Sequence, residues 1–167
     1  MVESPAGLNH FIEVQIEKGS CYKHSKFYNA YMRQSVTQKD DMGCGIACVA
    51  HITNQSYAQV VELFGKVKAQ TSGFTLKELS AVLEHLGVNN NRRFIRPKTK
   101  HLIYREGTIV FIKRSRLYPD GHYLLRHDGL WMDSWINSPL DQDIRNASSG
   151  FRRRLPGKPQ YAIIPNS

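Results

Sequence analysis

The chain has 167 residues, with 23 Lys and Arg against 14 Asp and Glu, for a formal charge of +9 at pH 7. That length suits a single domain over residues 1–167 that buries a real core without structural metal, and three cysteines at irregular spacing argue against a disulfide framework and for a reducing compartment. No apolar run approaches the ~18 residues of a membrane span, and the start of the chain lacks a signal-peptide pattern, so a cytoplasmic protein without a membrane span is expected, with export lacking a cleaved signal left open.

Residues 11–17 alternate, with Ile12, Val14 and Ile16 on one side and Glu13, Gln15 and Glu17 on the other, which predicts a half-buried strand. Residues 19–37 have no clean period and read as loop. Next comes Gln38-Lys39-Asp40-Asp41-Met42-Gly43-Cys44-Gly45, a turn-forming stretch that runs into the apolar segment 46–52, which predicts a buried helix. Cys44 therefore falls at the first helical turn, where unpaired backbone N–H groups and the helix dipole favour an anion and could also receive a developing oxyanion. Gly43 and Gly45 lack side chains and would let a substrate backbone come close. Gln38, six residues before the cysteine, offers a carboxamide N–H as a second oxyanion donor. Cys48 lies inside the apolar run and reads as packing. A zinc site from Cys44, Cys48 and His51 lacks a fourth ligand and suitable spacing, so neither a metal nor another cofactor is expected.

Ser56 with Gln59 and Thr75 with Glu78 form two capping boxes. The first opens an amphipathic helix carrying Tyr57, Val60, Val61 and Phe64 and stopped by Gly65. The second opens a helix whose buried stripe is Leu76, Leu79, Leu83 and Leu86, ending at Gly87. Then the period changes: 108–112, 122–126, 130–135 and 161–164 are short β-branched or aromatic runs bounded by turn residues. Helices first and strands afterwards predict an α+β fold with an antiparallel sheet. The basic stretches 89–96 and 151–158 read as solvated loops rather than a nucleic-acid site. Net charge would steer acidic partners, whether an acidic peptide or protein substrate, a nucleic acid or an anionic membrane surface, and charge alone does not choose among them.

Asp128-Gly129 is a type I′ hairpin signal. A two-residue turn there pairs His127 with Leu130, Arg126 with Trp131 and Leu124 with Asp133, and sets His122 opposite Trp135. His122 and Asp133 are then diagonal neighbours on one face, close enough for an imidazole and a carboxylate to meet; a loop one residue longer would put them on opposite faces.

Gln38-x5-Cys44-Gly45 at a helix start, Gly121-His122-Tyr123, a following strand with Asp133, and Gly73-Phe74-Thr75-Leu76 running on to Leu86-Gly87 make up four separated pieces. Together they resemble the papain-like peptidase domain that bacteriocin exporters use to remove double-glycine leaders, over roughly residues 36–140. Residues 1–35 form an extension outside the resemblance, and no transporter is joined to it in this chain. The resemblance implies a bacterial papain-like fold with the catalytic Cys at a helix N-terminus packed on an antiparallel sheet carrying His and Asp. It implies a triad of Cys44, His122 and Asp133, Gln38 at the oxyanion, and cleavage after small residues such as Gly-Gly. The same residue set also serves glutamine deamidation and transfer to amines, and the residues themselves leave these open.

Overall fold

The computed structural model describes residues 33–138 and 140–166; the strand expected at residues 11–17 lies outside them. Among the described residues four helices come first: α1 (Cys44–Thr53), α2 (Tyr57–Phe64), α3 (Lys66–Thr71) and α4 (Leu76–His85). Six strands follow: β1 (Asn90–Phe94), β2 (Ile109–Ile112), β3 (His122–His127), β4 (Leu130–Asp133), β5 (Gly150–Arg152) and β6 (Pro159–Pro165). They form one antiparallel sheet in the order β1-β6-β2-β3-β4-β5. This is the α+β arrangement expected of a papain-like fold.

Local sequence chemistry accounts for the helix limits. Ser56 accepts from the Gln59 N–H and the Gln59 side chain accepts from the Ser56 N–H; Thr75 and Glu78 do the same at α4. Gly65, at φ 92°, ends α2 in a conformation that residues with side chains rarely adopt, and the short helix α3 restarts at once. The strand ladder carries a core on each face. On one, α1, α2 and α4 pack Ile46, Val49, Val60, Leu79 and Leu83 against Ile109, Tyr123, Leu125, Met132 and Ile163. On the other, Val110, Ile112, Leu124 and Trp131 are covered by Ile95, by Tyr118 and by Ile103 of the 3₁₀ segment Pro97–Tyr104. Successive side chains point to opposite faces, so both sides of β2 and β3 are apolar.

Two expectations need correction. The stretch 89–96 is not a loop: Asn90–Phe94 forms the edge strand β1, pairing with β6 alone. Only Asn90 of the strand is buried, so it offers no alternating pattern to read. Likewise Phe151 and Arg152 are strand residues in β5 rather than part of a basic loop, and a strand of three residues is too short to show a period.

Gly121 fixes the approach to β3. Its φ is +76°, and a Cβ there would lie 2.2 Å from the Phe111 ring and 2.9 Å from the Ile112 carbonyl. Gly121→Ala is expected to lower stability by ~1–3 kcal/mol through overpacking and a left-handed backbone that alanine resists. It should also displace His122 and so slow the chemistry described below. Urea unfolding with a midpoint equal to wild type would show that this turn is not constrained as described.

Candidate active site

His122 opens β3 and Asp133 closes β4, so the hairpin delivers both to the same end of the sheet. The register is the expected one: Leu124 faces Asp133, Arg126 faces Trp131 and His127 faces Leu130. Asp128, at φ 47°, and Gly129, at φ 73°, make the two-residue turn. The ladder stops at Asp133, so Trp135 belongs to the following turn rather than standing opposite His122. His122 Nε2 and Asp133 Oδ1 are 2.8 Å apart, both groups buried.

Asp133 is fully buried, and its carboxylate is satisfied by several groups. Oδ1 also accepts from the Trp135 N–H at 3.0 Å, and Oδ2 accepts from Arg152 Nε at 2.6 Å. Burial alone would raise its pKa, but the bonds from His122, Arg152 and the Trp135 N–H outweigh that and hold it at about 2. Burial alone would lower the pKa of His122. Its bond to Asp133, and Cys44 acting as hydrogen-bond partner and as charge, raise it instead to about 10. The folded state therefore holds the His122 proton more tightly than an unfolded chain. That stabilisation is complete below the ordinary value of 6.5 and is lost as pH rises through about 10. The Asp133 contribution is complete above 3.8 and lost as pH falls through about 2, so across the neutral range both partners are charged. With Nε2 given to Asp133, Nδ1 is the ring nitrogen left for Cys44. The Tyr118 ring stacks on the imidazole at 5.5 Å and 23°.

Cys44 begins α1, and no side chain caps that helix at Gly43. The turn before it is tied down by Gly43 N–H to Asp40 carbonyl at 3.0 Å, Met42 N–H to Ala69 carbonyl at 2.9 Å, and Tyr57 hydroxyl to Asp40 Oδ2 at 3.1 Å. Gln38 is buried inside this turn. Its Oε1 accepts from Ser134 Oγ at 2.7 Å, which fixes the carboxamide so that Nε2 faces the Asp40 and Asp41 carbonyls at 3.1 and 3.2 Å.

Gln38, Cys44 and His122 open together into a cleft of about 600 Å³, whose wall also includes Phe74, Phe111, Tyr118, Tyr123 and Trp135. Gly43 and Gly45 are not on that wall. A Cβ on Gly43 would fall 1.8 Å from the Tyr57 hydroxyl oxygen, and one on Gly45 2.9 Å from the Leu79 methyls. What demands glycine at these positions is the packing of α1 against α2 and α4, not room for a substrate backbone.

The Peptidase C39 family pattern matches residues 32–128, more than half of the chain. The chain belongs to this family. It is thus a papain-like cysteine peptidase domain, and the match takes in Gln38, Cys44 and His122 but ends before Asp133. No curated protein matches the sequence. Among the described residues no helix is long and apolar enough to cross a membrane.

Sequence reasoning missed Arg152 and Ser134. Arg152 was hidden in a run of three arginines, and Ser134 sits beside Asp133 with no pattern of its own. Cys48 is where the apolar run put it, fully buried, and burial first, then the nearby Cys44 and Asp133, raise its thiol pKa well above the usual range. The contrast between the two cysteines is testable. Iodoacetamide at pH 6 should alkylate Cys44 and spare Cys48 in native protein. Cys44→Ala should abolish peptidase activity with the fold intact, and Cys48→Ala should keep activity and cost no more than a core truncation of ~1–3 kcal/mol. Equal labelling of both thiols, or a dead Cys48→Ala enzyme, would reverse their roles.

Proposed function

We propose that this C39 domain cleaves a peptide or protein substrate after small residues such as Gly-Gly, using Cys44, His122 and Asp133 as a triad and Gln38 as an oxyanion donor. The observation that carries the reading is the 2.8 Å bond from His122 to a fully buried Asp133, with His122 and Cys44 on the wall of the same cleft.

In this reading the His122 proton comes from the Cys44 thiol, and the thiolate attacks the scissile carbonyl carbon. The carbonyl oxygen becomes an anion held by the Cys44 N–H and by Gln38 Nε2. The uncapped start of α1 leaves the first of these donors available, and the second, on the wall of the cleft, exchanges one of its bonds to the Asp40 and Asp41 carbonyls, 3.1 and 3.2 Å long, for the oxyanion. His122 passes its proton to the leaving amine as the C–N bond breaks, giving a thioester. Water then attacks the thioester with His122 as base, releasing the new carboxylate and restoring the thiol. Asp133 keeps the ring oriented throughout. Aromatic side chains crowd the cleft wall, and a pair of glycines passes between them without a side chain to clash.

Incubation with a peptide containing Gly-Gly, followed by intact mass spectrometry, tests the reaction: a cut on the carboxyl side of the second glycine, absent in Cys44→Ala, is the expected result. A glutamine-bearing protein that gains the mass of deamidation, with the Gly-Gly peptide intact, would make the domain a deamidase instead.

The oxyanion role has its own test. Gln38→Ala should lower kcat on the Gly-Gly peptide by ~10²–10³ with little change in KM, and should leave iodoacetamide labelling of Cys44 unaltered. An unchanged kcat would leave Gln38 with only its structural bonds to Ser134 and the turn.

A further inference from the structure

Arg152 opens the run Arg152-Arg153-Arg154, yet only its neighbours are exposed. Arg152 turns its guanidinium inward from β5: Nε donates to Asp133 Oδ2 at 2.6 Å and Nη2 donates to the Ile136 carbonyl at 2.7 Å. Strand pairing sets this up, since Arg152 stands opposite Trp131, two residues before Asp133 on the same face of β4. The guanidinium thus clips the end of β4 to the turn after it, with Asp133 held between His122 and Arg152.

The chemistry proposed above gives this clip a task. A carboxylate with no access to water needs an opposite charge close by. His122 supplies one only while it is protonated, and His122 gives its proton up when the leaving amine departs. At that point Asp133 would face a neutral imidazole from inside the protein. A guanidinium is a permanent cation, and the planar fork of Arg152 fixes the carboxylate as well as neutralising it.

We propose that Arg152 is a positioning residue of the active centre, which holds Asp133 ionised and aimed at His122 through the whole cycle, including the steps in which the imidazole is neutral. This rests on the reading of Asp133 as the third member of the triad. Arg152 touches no reacting atom and acts through Asp133. Among the described residues, the charged and titratable groups near Asp133 are His122 from β3, Arg152 from β5, Tyr118 from the loop before β3, and Cys48 from α1. Arg152 is the permanent cation among them.

The test is the pH dependence of Cys44 alkylation by iodoacetamide, which needs no substrate and reports the Cys44–His122 pair. In Arg152→Gln the acid limb should move to higher pH by about one unit, because an Asp133 without its cation takes up a proton at higher pH and loses its aim, leaving the imidazolium beside the Cys44 thiolate less firmly held. Arg153→Gln, an exposed neighbour, should follow wild type. Arg152→Lys keeps the charge and loses the fork, so a smaller shift in the same direction is expected; it also carries the test if the Gln variant does not fold. Asp133→Asn/Arg152→Gln should match Asp133→Asn alone, since Arg152 has nothing to act through once the carboxylate is gone.

An Arg152→Gln profile superimposed on wild type, with Asp133→Asn displaced, overturns the inference and leaves the triad standing. A further displacement in the double variant also overturns it, because Arg152 would then act by its own charge. A wild-type profile in Asp133→Asn is the distinct result that removes Asp133 from the triad and this inference with it.

Discussion

The structure turns on the cost of keeping one carboxylate in a place water does not reach. Asp133 is fully buried, and an unpaired charge there would be strongly unfavourable, so the surrounding chain is committed to supplying donors. Each donor constrains a different element. The bond from His122 demands the two-residue hairpin turn at Asp128-Gly129, because one more residue would send the two side chains to opposite faces. The Trp135 N–H bends the chain back immediately after β4. The Arg152 bond requires a further strand, β5, whose three residues would have little reason to pair otherwise. Removing one partner of such a group typically costs ~3–5 kcal/mol, a large part of the stability of a domain this size.

The same corner of the molecule organises the other half of the site. Ser134 follows Asp133, and it holds Gln38 twice: its carbonyl accepts from the Gln38 N–H at 3.2 Å and its hydroxyl donates to Gln38 Oε1 at 2.7 Å. Two neighbouring residues at the end of β4 therefore orient the imidazole on one side and the carboxamide on the other. The loop from Gln38 to Gly43 is stretched between this anchor and the start of α1, with Tyr57 of α2 filling the space that a side chain at Gly43 would take. Glycine there serves Cys44 in two ways: it admits Tyr57, and it leaves the helix end without a capping side chain.

What was legible in the sequence is what local chemistry determines. The capping boxes at Ser56 and Thr75 each need only four residues, and the hairpin register needs only the turn dipeptide and alternation, so both helices and the His122–Asp133 geometry could be read off directly. Cys44 was recognisable because loop residues give way to an apolar run just there. Edge strand β1 was not legible: Asn91, Arg92, Arg93 and Phe94 all face solvent, and its strand character comes from hydrogen bonds to β6, about 70 residues further along the chain. Arg152 was missed for a related reason. Nothing local separates it from Arg153 and Arg154; only the pairing of β5 with β4 turns one of the three inward. The glycines show the opposite error, where a residue type was explained by the substrate when the neighbouring helices were the cause.

These placements also change what the overall charge of +9 can do. The cleft wall itself carries Lys68 and Arg114 against Asp41 and Asp120, an even balance of fixed charges, and Lys68 is bound to Glu78. Arg152 is occupied by Asp133. The excess of cations lies elsewhere, in residues such as Arg92, Arg93, Arg153 and Arg154 on exposed parts of the surface. A field from distant charges acts on the encounter with an acidic substrate and weakens as salt screens it, whereas discrimination next to the thiol depends on contact. There the contacts are aromatic: Phe74, Phe111, Tyr118, Tyr123 and Trp135. On the function proposed above, steering and selection would be separated in space, the first spread over the basic surface and the second confined to a cleft whose aromatic walls favour a narrow substrate.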